Sequence, residues 1–374
     1  MNKTFQSGKY INQGFHRSFL PSKINKNWEI SDMQVISLLS QADRHLGKLD
    51  MYSEYINIDL YLAMHIAKEA TQSSRIEGTQ TQVKDAFLSK DNIKSERRDD
   101  WEELQNYILA MNVAVSELQN IPFSGRLFRK AHQILLSGVR GEHKLPGEYR
   151  KSQNWIGGAT LQDAIFIPPA YMDVDELMSD LEIFANDELN PLPILLKTAL
   201  IHYQFETIHP FLDGNGRVGR LLITLYLVSQ GILKRPILYL SDFFEKHRSL
   251  YYDNLMRVRT HNDINQWFKF FLTGIIETSK KGTQTFDAIL QIQQALDEKL
   301  KPLGGRAADA RLVFNELFKN PIIQVDGVEK IINKSNVSAY KLINDLEKLG
   351  LIKEITGSQR DKLYAFQEYI DLFS

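Results

Sequence analysis

The sequence predicts a mainly α-helical protein with a short β-hairpin flap and, at its C-terminal end, a winged helix-turn-helix-like unit. Three observations carry that expectation. Apolar residues recur at helical spacing through most of the chain, as in Leu60, Ala63, Met64, Ala67 and Ala70. One stretch, Tyr149 to Pro169, has a different texture: Asn154-Trp-Ile-Gly-Gly158 and Ala164-Ile-Phe-Ile-Pro-Pro169 are short apolar runs around a polar, glycine-containing turn. Beyond Gly304-Gly305, helical stretches at Leu312 to Phe318, Val325 to Ile332 and Ser338 to Leu349 are followed by strand-like runs at Leu351 to Ile355 and Leu363 to Phe366.

Composition sets the bounds. A chain of 374 residues with 43% hydrophobic content supports two or three domains with real cores. A formal charge of −1 supplies no global field for nucleic acid or an anionic membrane. The absence of cysteine excludes disulfides, thiol nucleophiles and cysteine-ligated metals, and fits a reducing cytosol. Met1 to Leu20 lacks an apolar signal core, and no run approaches the roughly 18 apolar residues of a membrane span. A soluble cytoplasmic protein is the expectation.

Residues Met1 to about Lys26 are polar and irregular, with scattered aromatics, and read as an extended arm. Helices are expected from Ser31 to Leu49 and from Asn57 to Ile76, the second ending at Gly78 in a C′ position. Asp99 to Leu118 is amphipathic through Trp101, Leu104, Ile108, Met111 and Val115, and Pro122 to Gly125 breaks it. Phe128 to Leu136 is helical, and the loop Gly138 to Gly147 carries His143, to which no chemistry is assigned. Later, Ser241 begins a helix running to about Val258, and Trp267, Phe270, Phe271 and Ile275 mark a last core helix. Gly282 to Pro302 reads as a connecting helix before the Gly304-Gly305 hinge. The implied divisions are 1–123, 124–281 and 282–374.

The densest chemistry lies in His209-Pro-Phe-Leu-Asp-Gly-Asn-Gly-Arg-Val-Gly-Arg220. Pro193 to Ile208 is an amphipathic helix that Pro210 stops, and Val218, Leu221, Leu222, Leu225 and Val228 continue at helical spacing. The motif is therefore a loop feeding a helix N-terminus. Free backbone N–H groups and the positive end of the helix dipole point the same way there, and glycines let phosphate oxygens approach the backbone. Arg217 and Arg220, at i and i+3, grip one polyphosphate from one helix face. Asp213 suits a magnesium ion bridging phosphate oxygens, and His209 at the mouth suits a general base.

Two rival readings attach to the same residues. Gly214, Gly216 and Gly219 spell the dinucleotide fingerprint, but that motif follows a strand, and a helix precedes it here. His202, Glu206 and His209, at i, i+4 and i+7, resemble metal-ligand spacing and define a metal-hydrolase alternative.

The pattern His-x-Phe-x-Asp-Gly-Asn-Gly-Arg-x-x-Arg resembles the signature of the Fic family at each defining position from His209 to Arg220. That resemblance implies a Fic-type helical bundle, with a core over 124–281, that transfers AMP from ATP to a Ser, Thr or Tyr hydroxyl of a target protein or of itself. His209 is then the base and Asp213 the Mg²⁺ ligand. The nucleotide is held by Gly214, Asn215, Gly216, Arg217, Val218, Gly219 and Arg220. Ser73-Ser-Arg-Ile-Glu77-Gly78 is similar to the family's inhibitory helix, in which the glutamate, here Glu77, pairs with the second motif arginine, here Arg220. The hairpin becomes a flap that aligns the target by strand addition, with Ile156 and Gly157 lining the cleft and Tyr251 near the adenine. Transfer of UMP, GMP, phosphate or phosphocholine, and removal of AMP, would use much the same residues.

The tail leaves a different function class open, a DNA-binding regulator with the nucleotide site as sensor. From Leu300 to Ser374 there are 11 Lys plus Arg against 10 Asp plus Glu, and Lys341 and Lys348 are offset by Asp345 and Glu347. That balance favours protein contact or a homodimer over DNA.

Overall fold

The computed structural model describes residues 5–139, 141, 143–357 and 360–373. Helix α1 (Met33–Tyr55) opens at Asp32, whose carboxylate accepts from the backbone of Gln34 and Val35 at 2.8 and 3.2 Å. Helix α2 (Leu62–Ile76) is buried along most of its length, and Gly78 follows it with φ of 102°, a left-handed value that favours glycine. Helix α3 (Arg98–Glu117) packs on α2 and on α4 (Gly125–Leu135); α5 (Val174–Asn186) lies against α6 (Ile194–Ile208). Every residue of α6 from Leu195 to Ile208 is buried, so this is the central post of the bundle. Helix α7 (Asn215–Ser229) packs against α6, and Trp267 ties α10 (Ile264–Leu300) to the post by an indole N–H bond of 2.9 Å to the Ala199 carbonyl.

Several expectations are corrected. Residues 5–26 are no irregular arm, residues 1–4 of the expected arm lying outside the described ones: strands β1 (Gly8–Asn12) and β2 (Arg17–Pro21) form an antiparallel hairpin with Gly8 opposite Pro21. Phe19 at its centre is buried against Phe166, burial that a five-residue strand does not advertise in sequence. The expected flap strands shrink to a single antiparallel bridge between Ile156 and Phe166, because Gly157 and Gly158 turn at φ of 70° and 76° and end the pairing. The flap is instead stitched to the N-terminal hairpin, Phe19 N–H donating to Ile167 C=O at 2.9 Å.

The helix expected over 241–258 is broken at His247 into α8 (Ser241–Lys246) and α9 (Arg248–His261). The expected last core helix and connecting helix are one 37-residue helix, α10, so residue 281 lies inside a continuous element. Gly282 is tolerated there because α1 passes so close that a Cβ would stand 2.8 Å from Leu49.

Beyond Gly304, with φ of 54° and ψ of −123°, the chain turns into α11 (Ala307–Lys319), β3 (Ile322–Ile323), α12 (Val325–Ile332) and α13 (Asn336–Lys348). Strands β4 (Lys353–Glu354) and β5 (Tyr364–Ala365) follow, then α14 (Gln367–Asp371), and the sheet order is β3-β5-β4, antiparallel throughout. This tail is packed on the bundle: Phe318 meets Tyr61 edge-on at 5.5 Å, and Phe373 meets His65 at 4.9 Å. No helix among the described residues is long and apolar enough to cross a membrane.

Candidate active site

Helix α6 ends on His209, which adopts φ of 52° and ψ of 61°. A left-handed histidine is uncommon, and the following Pro210 already bars helical backbone at this position. The conformation persists because its surroundings over-determine it. The buried Arg150 donates from Nε to the His209 carbonyl at 3.0 Å, and from Nη2 to Pro169 and Ile208 carbonyls at 2.6 and 3.3 Å. Asn154 Nδ2 reaches the carbonyls of His209 and Phe211 at 3.2 and 2.9 Å.

The loop then closes on itself. Asn215 clasps Phe211 both ways, Oδ1 accepting its N–H and Nδ2 donating to its carbonyl, each at 2.8 Å. His132 stacks on the Phe211 ring at 3.8 Å. Its Nδ1 accepts the Gly147 N–H at 2.9 Å, which fixes the tautomer and makes Nε2–H the donor to the Asp213 carbonyl at 3.0 Å. Gly214, at φ of 72°, turns the chain into α7. The first intrahelical bond joins Val218 N–H to Gly214 C=O, leaving the N–H groups of Asn215, Gly216 and Arg217 as the anion-ready end of the helix.

These groups open onto a cleft of about 820 Å³ that also takes in Glu77, Glu103, Ile156, Gly157, His209, Asp213, Arg220 and Tyr251. Burial pushes the half-buried His209 ring down to about 3, with Arg150 and Arg259 adding to the effect. The ring is therefore neutral near neutral pH and able to take a proton. Its Nδ1 makes no hydrogen bond of good geometry, although the nearby Glu206 carbonyl favours a proton on the ring.

Arg220 is 3% exposed and is bonded through Nε and Nη2. Nε donates to Ser73 Oγ at 2.9 Å, and Nη2 donates to the Ser73 carbonyl at 2.9 Å and to Glu77 Oε1 at 2.6 Å. Burial opposes the charge on both partners, yet the Glu77 carboxylate holds Arg220 protonated and Arg220 holds Glu77 below the usual carboxylate range. A Cβ placed on Gly216 would collide with Glu77 Oε1, so the carboxylate at the end of α2 stands over the N-terminus of α7. The expected Ser73, Glu77 and Arg220 constellation is thus assembled, with Ser73 beneath the guanidinium.

Other expected residues have different surroundings. Val218 points into the core and Gly219 faces α6, where a Cβ would collide with Glu206; neither lines the cleft, because they stand on the sides of α7 turned away from it. The Asn215 side chain is consumed by Phe211, so only its backbone faces an anion. Tyr251 borders the cleft but is 1% exposed, stacked on Phe244 at 4.4 Å. The metal-hydrolase triad is not assembled. His202 Nδ1–H donates to the Gly219 carbonyl and Nε2 accepts the Tyr251 hydroxyl, both at 2.9 Å, which spends both nitrogens. Among the described residues no three His, Asp or Glu side chains gather as metal ligands. Asp213, exposed at the mouth with Oδ1 accepting from Gly214 N–H at 2.6 Å, fits only a metal that brings its other ligands on substrate phosphates and water.

Sequence reading missed Glu103, Arg150, Asn154 and His132. Each touches the motif from a distant segment, and no local pattern marks them. Glu103 on α3 accepts from Arg217 Nη1 at 3.0 Å, with side chains 8% and 7% exposed.

A helical bundle that gathers a helix N-terminus, two arginines, an exposed aspartate and a neutral histidine in one cleft is built to hold a polyphosphate beside a base. The chain belongs to the Fic/DOC family: residues 36–116 match the family's N-terminal region and residues 122–227 the family domain itself. A protein adenylyltransferase Fic of Culex quinquefasciatus is 36% identical over 125 residues, 33% of this chain and 22% of that one. One from Drosophila grimshawi is 30% identical over 171 residues, 44% of this chain and 32% of that one. The chain thus spans between a fifth and a third of the length of these two curated relatives. In fold it resembles a Fic family protein from Desulfovibrio desulfuricans G20, with a TM-score of 0.58 at 16% identity over 91% of this chain and 98% of the other. A Fic domain containing signaling protein from Bacteroides thetaiotaomicron VPI-5482 gives 0.51 at 20% identity over 67% and 96%.

Proposed function

We propose that the protein transfers AMP from ATP to a hydroxyl of a protein side chain, and that its own Glu77 restrains the transfer. The observation that carries this reading is the Glu77 carboxylate standing over the α7 N-terminus, ion-paired to Arg220 in the cleft that holds the neutral His209. A negative group already occupies the position prepared for phosphate, and it arrives from outside the motif. The relatives named protein adenylyltransferase support ATP as the nucleotide.

In this reading the phosphates lie on the N–H groups of residues 215–217 and between Arg217 and Arg220. His209 takes the proton from a Ser, Thr or Tyr hydroxyl as its oxygen attacks the α-phosphorus; the bond to the bridging oxygen breaks and diphosphate leaves. Arg220 can accept the γ-phosphate only when Glu77 withdraws, because both anions use the same donors. A magnesium ion on Asp213, when bound, would neutralise phosphate charge. The target segment lies along the flap near Ile156 and Gly157. The tail, whose helix α13 exposes Val337 and Tyr340, serves protein contact as a winged-helix-like unit.

The test is intact-mass analysis of wild type, Glu77→Gly and Glu77→Gly with His209→Ala after incubation with ATP, UTP, GTP or CTP and Mg²⁺. An AMP-sized self-adduct, greater in Glu77→Gly and absent in the double variant, is the expected result. Adducts of another nucleotide would replace the substrate, and no adduct with any nucleotide would sink the transferase reading.

A further inference from the structure

The cleft contains a second glutamate that binds a motif arginine. Glu103 lies in the second turn of α3, outside the 122–227 segment matched by the family domain, and pairs with Arg217 at 3.0 Å. Resting on the adenylyltransferase reading above, we propose that Glu103 is a positioning residue: it holds one edge of the Arg217 guanidinium so that the rest is presented to the nucleotide phosphates.

The contrast with Glu77 supports a fixed hold over a second brake. Glu77 caps the end of α2 ahead of a left-handed glycine, keeps 38% side-chain exposure and can leave by movement of one helix end. Glu103 is 8% exposed, in a 20-residue helix packed on α2, α4 and α7, so its departure would require the whole helix to shift. Glu77 stands over the helix N-terminus at Gly216, whereas Glu103 accepts from the Arg217 guanidinium. Arg217 itself needs a tether: among the described residues its buried Nε meets no acceptor, and Glu103 is the side chain that fixes the guanidinium. A planar fork held at one nitrogen keeps its remaining donors oriented, which lowers the entropy lost when phosphate binds.

The experiment uses the full chain in the Glu77→Gly background, comparing Glu103, Glu103→Gln and Glu103→Ala. ATP binding is measured by calorimetry, the fold by thermal melting, and Arg217 by the rotation rate of its guanidinium in ¹⁵N NMR without nucleotide. Loss of a charge-assisted hydrogen bond predicts roughly ten- to a hundredfold weaker ATP binding in Glu103→Ala, with Glu103→Gln between the two. Arg217 rotation should quicken in the same order. A purely structural role would lower Tm and the folded fraction while leaving the Kd of folded protein unchanged, and would overturn the proposal. Tighter ATP binding or faster transfer on losing the carboxylate would also overturn it, making Glu103 a second brake. If none of the proteins binds ATP, the preceding reading fails, and unchanged Arg217 rotation would then independently remove the positioning role.

Discussion

The motif loop and the flap face each other across the cleft and are built in opposite ways. From His209 to Asn215 most backbone carbonyls are committed: Arg150, Asn154, Asn215 and His132 between them hold the carbonyls of Ile208, His209, Phe211 and Asp213. The flap keeps one bridge, Ile156 to Phe166, one backbone bond from Phe19 to Ile167, and a turn held by Asp163, which accepts from the backbone of Ala159 and Thr160. Ile165 is 69% exposed and Trp155 40%. The difference separates tasks. Under the proposed transfer, atoms that would meet phosphorus within tenths of an ångström sit on preorganised backbone, while the surface proposed to face a target stays adjustable.

The largest effect expected from breaking the motif side is at His209. His209→Ala in the Glu77→Gly background should lower transfer by about 10²- to 10⁴-fold, the usual worth of a positioned base, with ATP binding retained. The pH profile sharpens this. Since burial pulls the ring down to about 3 before nucleotide binds, it stays unprotonated through mild acid, and kcat/KM for ATP, which reports the free protein's groups, should show no fall from His209 between about pH 8 and about pH 5. A fall with midpoint near 6.5 would mean that the ring is solvated and the cleft open.

Next in size is the scaffold. Arg150→Ala removes the guanidinium bonds to the carbonyls of Ser152, Pro169, Ile208 and His209, only the last of which keeps Asn154 as a good donor, and should cost about 3 kcal/mol of stability. Chemical denaturation reads it. A loss under about 1 kcal/mol would show that the left-handed His209 does not depend on this anchor.

How much of this was legible follows the same division. The twelve-residue motif could be read because its chemistry is local: a proline stop, glycines and two arginines at helical spacing announce a loop and a helix start. Glu77 was legible only through the resemblance of Ser73 to Gly78 to the family's inhibitory helix, since its local pattern is that of an ordinary helix end. Arg150, Asn154, His132 and Glu103 were not, since an isolated residue gives no sign of which distant carbonyl or arginine it will meet. The N-terminal hairpin was missed because its apolar residues find their partners in the flap, more than 140 positions away. His202 and Glu206 misled in the other direction: spacing placed them on one helix with His209, but only packing could tell that His202 is spent on Gly219 and Tyr251.

A third prediction concerns the histidines that packing consumes. Burial pushes His65, His132 and His202 down from 6.5 to about 3, 4 and 3. Their folded values are depressed, so below 6.5 the unfolded chain takes up protons that the folded chain refuses. Their contribution is whole above that value and shrinks as the pH falls, by about 2 kcal/mol per histidine at pH 5. Thermal melts at about pH 7.5 and 5 should show the drop, and a Tm that does not move would mean these rings reach solvent.

The smallest effect on stability, and the cleanest test of the contrast, is at the flap. Ile156→Pro deletes the N–H that donates to the Phe166 carbonyl at 2.8 Å, leaving the motif loop untouched. Arg150 anchors the base of the flap at Ser152 and Pro169, outside the bridge, so the segment should stay attached. Stability should therefore change by less than about 1 kcal/mol, since one partly exposed backbone bond is lost. ATP binding should persist, because the phosphate groups sit on α7. Transfer to a protein target should fall much further than ATP binding, because a strand-like segment on the flap aligns its hydroxyl through backbone bonds of this kind. Parallel measurement of Kd for ATP and of kcat/KM for the protein target separates the two outcomes. Equal losses in both would mean that flap and motif loop form one rigid unit, and the division of tasks would be wrong.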